Sequence, residues 1–417
     1  MHIRSLLSER IEAAFAHLGL EGQALLQAAS RPEFGDYQAN GVMAAAKRAG
    51  QNPREIAQQV IDALDLTGIA QDLSIAGPGF INITLAPSFI AQANTTPTHS
   101  AEPYCVVVDY SGPNLAKEMH VGHLRSTIIG DCIARVLETL GHKVIRQNHV
   151  GDWGTQFGML LTFMAERDAA SESLADLENF YREAKQRFDD DEDFQQRSRG
   201  AVVRLQSGDA DMLVQWQKFI DISMSHCQGL YDRLGIDLTA ADIDGESSYN
   251  DDLKNTVDHL AEQGLLTESE GAQCVFLDEF KSKKGEPQPV IVQKSDGGFL
   301  YSTSDLACLR RRIGDFKADR VLYFVDARQA LHFKQVFAVA AAAGISSSSV
   351  ELAHMPFGTM LGKDNKPFKT RQGALVKLAD LLDEAVKRAA QLLKDRDVQS
   401  KNPDIDDAEL ATLAETI

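Results

Sequence analysis

The chain has 417 residues, of which 44% are hydrophobic and 24% charged, and its net charge is −18. This length predicts about two to four domains, and the composition excludes a disordered chain. The negative charge argues against a protein that coats nucleic acid, because phosphate binding uses lysine and arginine. The five cysteines form no C-x-x-C pair, so neither a zinc knuckle nor a disulfide framework is predicted. No run approaches the roughly 18 apolar residues of a membrane span, and the chain opens directly into a helical pattern, so we expect a cytoplasmic protein.

The first hundred residues predict a small α+β domain. Apolar residues recur at three- and four-residue spacing over residues 1–20 and stop at Gly19, Pro53 opens a second helix, and Phe80–Leu85 has the composition of a strand. The polar, proline-bearing stretch 93–103 is typical of a linker. We therefore assign residues 1–97 to the first domain.

A strand, a loop, a helix and a second strand follow. The β-branched run 104–110 is typical of a strand buried on both faces, the next helical pattern ends at Gly141, and residues 143–146 are again extended. Together they have the length of a βαβ unit. We predict the front of a doubly wound parallel sheet that binds a nucleotide.

The remaining chain alternates between helical and strand patterns. Residues 155–235 are helical and charged and predict an insertion, in which the acidic run 189–193 is interpreted as a solvated turn. Strand patterns return at three places, followed by an alanine-rich helix after Arg328. From residue 375 the pattern is helical and reaches Ile417 without a cap, so we expect the natural protein to continue beyond it.

The sharpest motif is His120-Val121-Gly122-His123, where the buried strand passes into the helix. The free N–H groups and dipole of a helix N-terminus favour phosphate, glycine lets a planar base approach the backbone, and two imidazoles three residues apart share a helical face. These residues predict an ATP site with His120, Gly122 and His123 as catalytic candidates. Without their setting, four residues would match by chance too often to carry an argument.

The longer segment 111–126 resembles the HIGH region of arginyl-tRNA synthetases almost residue for residue. The motif region comprises Pro113, Asn114, Leu115, Ala116, Lys117, Glu118, Met119, His120, Val121, Gly122 and His123. Segments 34–40, 148–158, 245–247 and 301–307 also resemble this family, so the likeness covers nearly the whole chain.

The resemblance implies an α/β fold with the Rossmann-like sheet of class I synthetases. It implies an N-terminal additional domain at 1–97 that contacts the tRNA outer corner, a catalytic domain with an insertion at 104–374, and the start of a truncated helical anticodon-binding domain at 375–417. The implied activity is that of an arginine–tRNA ligase, which activates L-arginine with ATP and Mg²⁺ and transfers it to tRNA(Arg). We expect no permanent cofactor, no metal ligand in the protein, no membrane association and a monomer.

The resemblance also implies the arginine contacts. They are Gly112, Pro113, Asn114, His123, Glu246, Tyr301, Asp305 and Gln329. A guanidinium group offers five rigid donors and is best recognised by carboxylate and carbonyl oxygens, which Asp305, Glu246 and Gln329 carry. Without the motifs, each acid would be interpreted as a surface charge or a helix cap. His149, Asp152 and Trp153 follow the second strand and are expected to support the site.

One segment departs from the family pattern. Class I enzymes carry a KMSKS loop whose mobile cations stabilise the pyrophosphate leaving group, whereas residues 362–373 are basic but match that loop poorly. The candidate cations are Lys366, Lys369 and Arg371, with Lys117 as a further candidate that is otherwise an ordinary loop lysine. Two alternatives stay open: a non-catalytic paralogue that binds tRNA or protein, and a class I synthetase or nucleotidyl-transferring enzyme for another substrate.

Overall fold

The computed structural model describes residues 3–93, 99–167, 176–282, 284–295, 297–361, 376–399 and 406–417. The contacts of the chain divide it into two units, Met1–Ala101 and Glu102–Ile417. Within the described residues, no helix is both long enough and apolar enough to cross a membrane.

The first unit is an antiparallel sheet covered by helices. Its elements are α1 (Ile3–His17), β1 (Leu26–Ala28), β2 (Tyr37–Ala39), α2 (Gly41–Ala49), α3 (Pro53–Ala63), β3 (Ala70–Ala76), β4 (Phe80–Leu85) and α4 (Pro87–Ala93). The strand order is β1-β2-β4-β3. Leu7 and Ile11 of α1 and Val60 of α3 share one apolar core with Ile81 and Ile83 of β4. The predicted α+β unit is therefore confirmed.

The second unit is built around a parallel sheet. Its elements are β5 (Cys105–Asp109), α5 (Val121–Thr139), β6 (Lys143–Gln147), α6 (Thr155–Arg167), α7 (Leu177–Asp190), α8 (Glu192–Gln206), α9 (Ala210–Leu234), α10 (Asn250–Glu262), β7 (Leu266–Ser269), β8 (Ala272–Val275), β9 (Val290–Gln293), α11 (Tyr301–Gly314), β10 (Arg320–Tyr323), α12 (Ala330–Ala342), β11 (Glu351–His354), α13 (Leu378–Gln399) and α14 (Asp407–Thr416). Strands β7, β8 and β9 form a separate, small antiparallel sheet.

The parallel sheet has the order β11-β10-β5-β6. Val107 packs into the core on one face of β5, and Val106 and Val108 pack into the core on the other face, so the strand is buried on both sides as its sequence predicts. The chain winds from β5 through α5 to β6 on one side and from β10 through α12 to β11 on the other. The strand order thus reverses between β5 and β10, the place where doubly wound sheets bind ligands. The predicted fold class is confirmed.

The predicted helical insertion comprises α6, α7, α8 and α9. Its core is aromatic, with Phe163, Phe180, Phe194 and Phe219 in edge or tilted contact. The acidic run 189–193 is a tight junction between helices, because α7 ends at Asp190 and the Asp191 carboxylate caps α8 by accepting from the Phe194 N–H at 3.0 Å. Asp191, Glu192 and Asp193 therefore lie at the start of α8, which favours negative charge, whereas Asp189 and Asp190 end α7.

The last helices of the second unit, α13 and α14, are joined to α9. Arg233 of α9 forms ion pairs with Asp383 of α13 at 2.6 Å and Glu415 of α14 at 2.7 Å. Just before α13, residues 376–378 pair with residues 119–121: the Val121 N–H donates to the Val376 carbonyl at 2.9 Å, and the Leu378 N–H donates to the Met119 carbonyl at 2.9 Å.

Candidate active site

A cavity of about 520 Å³ lies at the carboxyl ends of β5 and β10. Its walls come from the turn after β5, the first turn of α5, the short helix before α10, the start of α11 and the loop after β10. The predicted residues that line it are Gly112, His120, Gly122, His123, Glu246, Tyr301, Asp305 and Gln329. Segments far apart in sequence therefore meet at the switch point of the sheet.

The first turn of α5 is organised by its two histidines. His120 is the N-cap, and its Nδ1 accepts from the Gly122 N–H at 3.0 Å, while Nδ1 of His123 accepts from the His120 N–H at 3.1 Å. A Cβ atom at Gly122 would lie 2.7 Å from Cε1 of His120, so glycine makes room for the capping ring. Because both Nδ1 atoms accept, the proton of each neutral ring is on Nε2, which has no partner among the described residues and can donate to a ligand.

Both imidazoles are held neutral. Burial, and to a lesser extent the nearby His120, lowers the pKa of His123 to about 3. Burial together with the charges of Lys117 and Arg328 lowers the pKa of His120. The two rings lie 4.0 Å apart between centroids, so charging both would be costly. At neutral pH they are uncharged donors.

Asp305 on the first turns of α11 is held by a histidine. Nε2 of His332 lies 2.5 Å from Oδ2 of Asp305, and both side chains are mostly buried. The exposed ring of Tyr301 packs edge-on against His332, with 4.8 Å between centroids. The carboxylate is therefore fixed in orientation, with an aromatic ring beside it at the cavity.

Glu246 presents a second carboxylate to the cavity, in surroundings that differ from those of Asp305. Among the described residues, its carboxylate has no hydrogen-bonding or ion-pair partner. Burial, reinforced by Asp152 and Asp305 and opposed by His149, raises the pKa of Glu246 to about 7. A cationic ligand would supply the missing partner.

The other acids near the cavity already have partners in the protein. Their contacts are Asp109 with the fully buried Arg312 at 2.6 Å, Asp152 with the Ser247 N–H at 2.9 Å, Asp244 with Tyr249 and with Arg311 at 2.8 Å, and Asp326 with Arg328 at 2.8 Å. Among the described carboxylates that line the cavity, only Glu246 and Asp305, which contacts His332, are not paired with an arginine.

Some predicted residues lie away from this cavity. Pro113 is buried and Asn114 is exposed, its Oδ1 accepting from the Ala116 N–H at 3.0 Å, and neither lines the cavity. Lys117 lines a smaller cavity of about 270 Å³, with Nζ 4.3 Å from the centroid of the Tyr181 ring. Lys366, Lys369 and Arg371 lie outside the described residues.

The described part of the chain contains no group of three or more histidine, cysteine, aspartate or glutamate side chains that could hold a metal ion.

His149 lines the cavity, and its Nδ1 lies 3.0 Å from the Asp244 carbonyl. Asp152 and Trp153 lie behind it: the Asp152 carbonyl accepts from Nε1 of Trp216 at 2.8 Å, and the Trp153 ring packs edge-on against that indole.

Comparison with known proteins decides the family. Residues 86–415 match the family of class I tRNA synthetases (R), catalytic domain, and residues 1–85 match the arginyl-tRNA synthetase N-terminal domain. The chain is 54% identical to the arginine–tRNA ligases of Laribacter hongkongensis and Hahella chejuensis, in each case over 100% of this chain and 74% of the relative. A crystal structure of the arginyl-tRNA synthetase from Plasmodium falciparum matches 99% of this chain and 72% of its own, with 30% identity and a TM-score of 0.71.

The chain belongs to the arginyl-tRNA synthetases. It is an arginine–tRNA ligase that uses ATP to activate L-arginine as the adenylate and transfers the arginyl group to tRNA(Arg). The chain spans about three quarters of the length of the curated relatives that it matches. The alternatives of a non-catalytic paralogue and of a synthetase for another amino acid are not supported.

Several residues that line the cavity were not predicted from the sequence. His332, Arg328 and Asp326 line the cavity beside Gln329, which had been predicted. Asp326 and Arg328 follow β10 closely, and residues just after a parallel strand at a switch point are the ones that reach a ligand. That position was a usable signal for these two residues, whereas His332 lies on α12 and has no such signal.

Proposed function

We propose that the cavity binds L-arginine with its guanidinium group between Asp305 and Glu246. A planar guanidinium donates along several directions and pairs best with carboxylates of fixed orientation. The His332 contact that orients Asp305 is the observation that carries this assignment. Tyr301, Gln329 and the Gly112 turn complete the arginine subsite, with Pro113 and Asn114 as the segment that shapes this turn.

ATP is proposed to lie against the first turn of α5. There the Nε2–H groups of His120 and His123 donate to phosphate oxygens, and Gly122 lets the nucleotide approach the backbone. The arginine carboxylate attacks the α-phosphate and pyrophosphate leaves. The terminal ribose hydroxyl of tRNA then loses its proton and attacks the carbonyl carbon of the adenylate, and AMP leaves. Catalysis rests on positioning and on donors directed at the developing charge.

The cations that face pyrophosphate are proposed to come from more than one segment. Lys366, Lys369 and Arg371 remain the candidates in the basic loop. Arg328 lines the cavity and lies close enough to His120 to lower its pKa. Lys117 stacks on Tyr181 and would take part only after leaving that ring.

Mg²⁺ is proposed to arrive with ATP, held mainly by phosphate oxygens and water, as is usual for this ion. We further propose a cytoplasmic monomer. Residues 1–97 are proposed to contact the outer corner of tRNA, residues 104–374 to form the catalytic domain, and residues 375–417 to begin the region that holds the anticodon arm.

The arginine assignment is tested by Asp305→Asn. The amide removes one partner of a desolvated charge pair, which typically weakens binding by about 2–5 kcal/mol. The arginine affinity should therefore fall steeply, while the ATP affinity stays at its parental value. Calorimetric titration with each ligand measures both. The control is Asp315→Asn, which removes the same charge from an exposed residue at the far end of α11. Parental arginine affinity in Asp305→Asn would overturn the assignment.

A further inference from the structure

The chain makes an unusual turn at Ser111, directly after β5. The Gly112 N–H donates to the Tyr110 carbonyl at 3.1 Å, and Ser111 between them has a φ of 70°. A three-residue turn with a positive φ at its centre is rare and strained, and serine does not relieve that strain as glycine does. Such a conformation persists only where its surroundings hold it. Here the turn lines the substrate cavity.

Two backbone contacts fix the turn to the neighbouring strands. The Ser111 N–H donates to Oγ of Ser126 at 2.9 Å, and that hydroxyl donates to the Phe324 carbonyl, just after β10, at 2.6 Å. The Gly112 N–H also donates to Oδ1 of Asn148, just after β6, at 3.0 Å. The turn is therefore tied to the carboxyl ends of both neighbours of β5.

A chain of hydroxyl groups holds the Ser111 side chain. Nδ2 of Asn148 donates to the Tyr231 hydroxyl at 3.1 Å, and that hydroxyl lies 2.7 Å from Oγ of Ser111. Oγ of Ser111 lies 3.0 Å from Oγ1 of Thr127, which donates to the His123 carbonyl at 2.9 Å.

Each hydroxyl can donate one hydrogen bond and also accept. Oγ1 of Thr127 lies within donating distance of both Oγ of Ser111 and the His123 carbonyl. The Tyr231 hydroxyl accepts from the amide of Asn148 and shares a hydrogen bond with Oγ of Ser111, in which either hydroxyl can donate. These bonds are connected and reinforce one another, and they end at the first turn of α5.

Tyr231 joins this row of hydrogen-bonded hydroxyl groups from outside the parallel sheet. It lies on α9 of the helical insertion, its side chain is only 1% exposed, and burial raises its pKa, so the hydroxyl keeps its proton. Its hydroxyl is the link between Asn148 and Ser111.

We propose that Tyr231 is a positioning residue of the adenylation reaction. Its hydroxyl holds the Ser111–Gly112 turn, and through Thr127 the first turn of α5, in the geometry that receives arginine and ATP. This proposal rests on the assignment of the cavity to those substrates and extends the support of the site into the insertion.

The test is Tyr231→Phe, which keeps the ring and removes the hydroxyl. We expect kcat/KM for arginine in tRNA-dependent pyrophosphate exchange to fall about tenfold, and kcat/KM for ATP to fall with it, because the buried side chains of Asn148 and Ser111 lose a hydrogen-bonding partner. The matched control is Ser223→Ala, which removes another buried hydroxyl of α9, bonded to the Phe219 carbonyl at 2.9 Å. A parental kcat/KM in Tyr231→Phe, or an equal loss in both variants, would overturn the proposal.

A double-mutant cycle with Ser111→Gly separates positioning from general destabilisation. Glycine relieves the strained φ and removes the hydroxyl that Tyr231 holds. If the effect passes through Ser111, Tyr231→Phe should change kcat/KM much less in the Ser111→Gly background. Additive effects contradict the proposal whatever the stability of the variants. Loss of arginine binding in Asp305→Asn together with additive behaviour here would leave the cavity assignment intact and reject only the role of Tyr231.

Discussion

Two carboxylates face the same cavity in different electrostatic states. His332 lies 2.5 Å from Asp305 and orients it, whereas burial without a partner raises the pKa of Glu246 to about 7. A guanidinium ligand would find Asp305 already in place and would draw Glu246 into its charged form. In the proposed arrangement, arginine binding and the ionisation of Glu246 are therefore linked.

This linkage predicts the pH dependence of arginine binding. Below about pH 7 the free protein carries a protonated Glu246, so binding must release that proton, and the arginine affinity should fall by up to about tenfold per pH unit. Above the pKa the carboxylate is already charged and the affinity should level off. Calorimetry between pH 5.5 and pH 8.5, in buffers of different ionisation enthalpy, measures both the affinity and the proton release.

Glu246→Gln provides the comparison for this prediction. The amide cannot titrate, so proton release near pH 6 should disappear and the affinity should be weak and nearly constant with pH. A parental protein whose arginine affinity does not change between pH 6 and pH 8 would contradict the link between Glu246 and the ligand.

The functional residues differ in how far the sequence could predict them. Asp305, Glu246 and His123 lie in motifs whose residue types match the ligand chemistry, and all three line the cavity. His332 and Tyr231 carry no local signal, because each acts through a partner 27 or 120 residues away in the chain. Contacts of this kind depend on tertiary packing, which local patterns do not contain.

At the scale of elements, the segment between the basic loop and α13 braces the start of α5. Residues 376–378 pair with residues 119–121 through two backbone hydrogen bonds. Nζ of Lys377 lies 3.0 Å from Glu118 and 3.4 Å from Asp176, at the start of α7. One lysine thus joins the HIGH region, the insertion and the segment that follows the basic loop.

We predict that Lys377→Met slows adenylation without weakening arginine binding. The ion pair is partly exposed and contributes only about 0–1 kcal/mol to stability, so the melting temperature should hardly change. Loosening the brace displaces catalytic groups, and a displacement of about 1 Å can cost about 10²-fold in rate. We therefore expect a loss of about tenfold in the single-turnover rate of adenylate formation.

The control for this prediction is Lys387→Met, which removes an exposed lysine from α13. A charge reversal, Lys377→Glu combined with Glu118→Lys, restores an ion pair and should recover part of the rate. Equal rates for Lys377→Met and the parental chain would show that the backbone pairing alone holds this segment.

Sequence patterns predicted strands β5, β6 and β10 of the parallel sheet better than the short or half-exposed strands. Strand β5 is buried on both faces, so its apolar run is continuous and was predicted to within two residues at either end. The three-residue strands β1 and β2 and the half-exposed β7 and β11 carry too few apolar positions for a periodic signal. The strand order, which creates the cavity, depends on contacts between distant segments.

At the scale of the whole chain, the two units have separate cores. The core of the first unit is built from residues between Leu7 and Phe89, and the cores around the parallel sheet are built from residues between Val106 and Leu378. Each core is complete with residues of its own unit, which is the condition for independent folding. The cavity residues all belong to the second unit.

We predict that a chain starting at Glu102 folds and binds ATP and arginine with parental affinity but binds tRNA(Arg) more weakly. Among the described residues, the first unit supplies none that lines the proposed substrate cavity, whereas its proposed contact with the tRNA outer corner would be lost. Lost phosphate contacts also make the logarithm of the tRNA association constant fall less steeply with salt concentration. Calorimetry with the two small substrates and tRNA titrations at several salt concentrations measure these quantities. A folded, truncated protein with reduced ATP affinity, or with parental tRNA affinity and salt dependence, would contradict this division of labour.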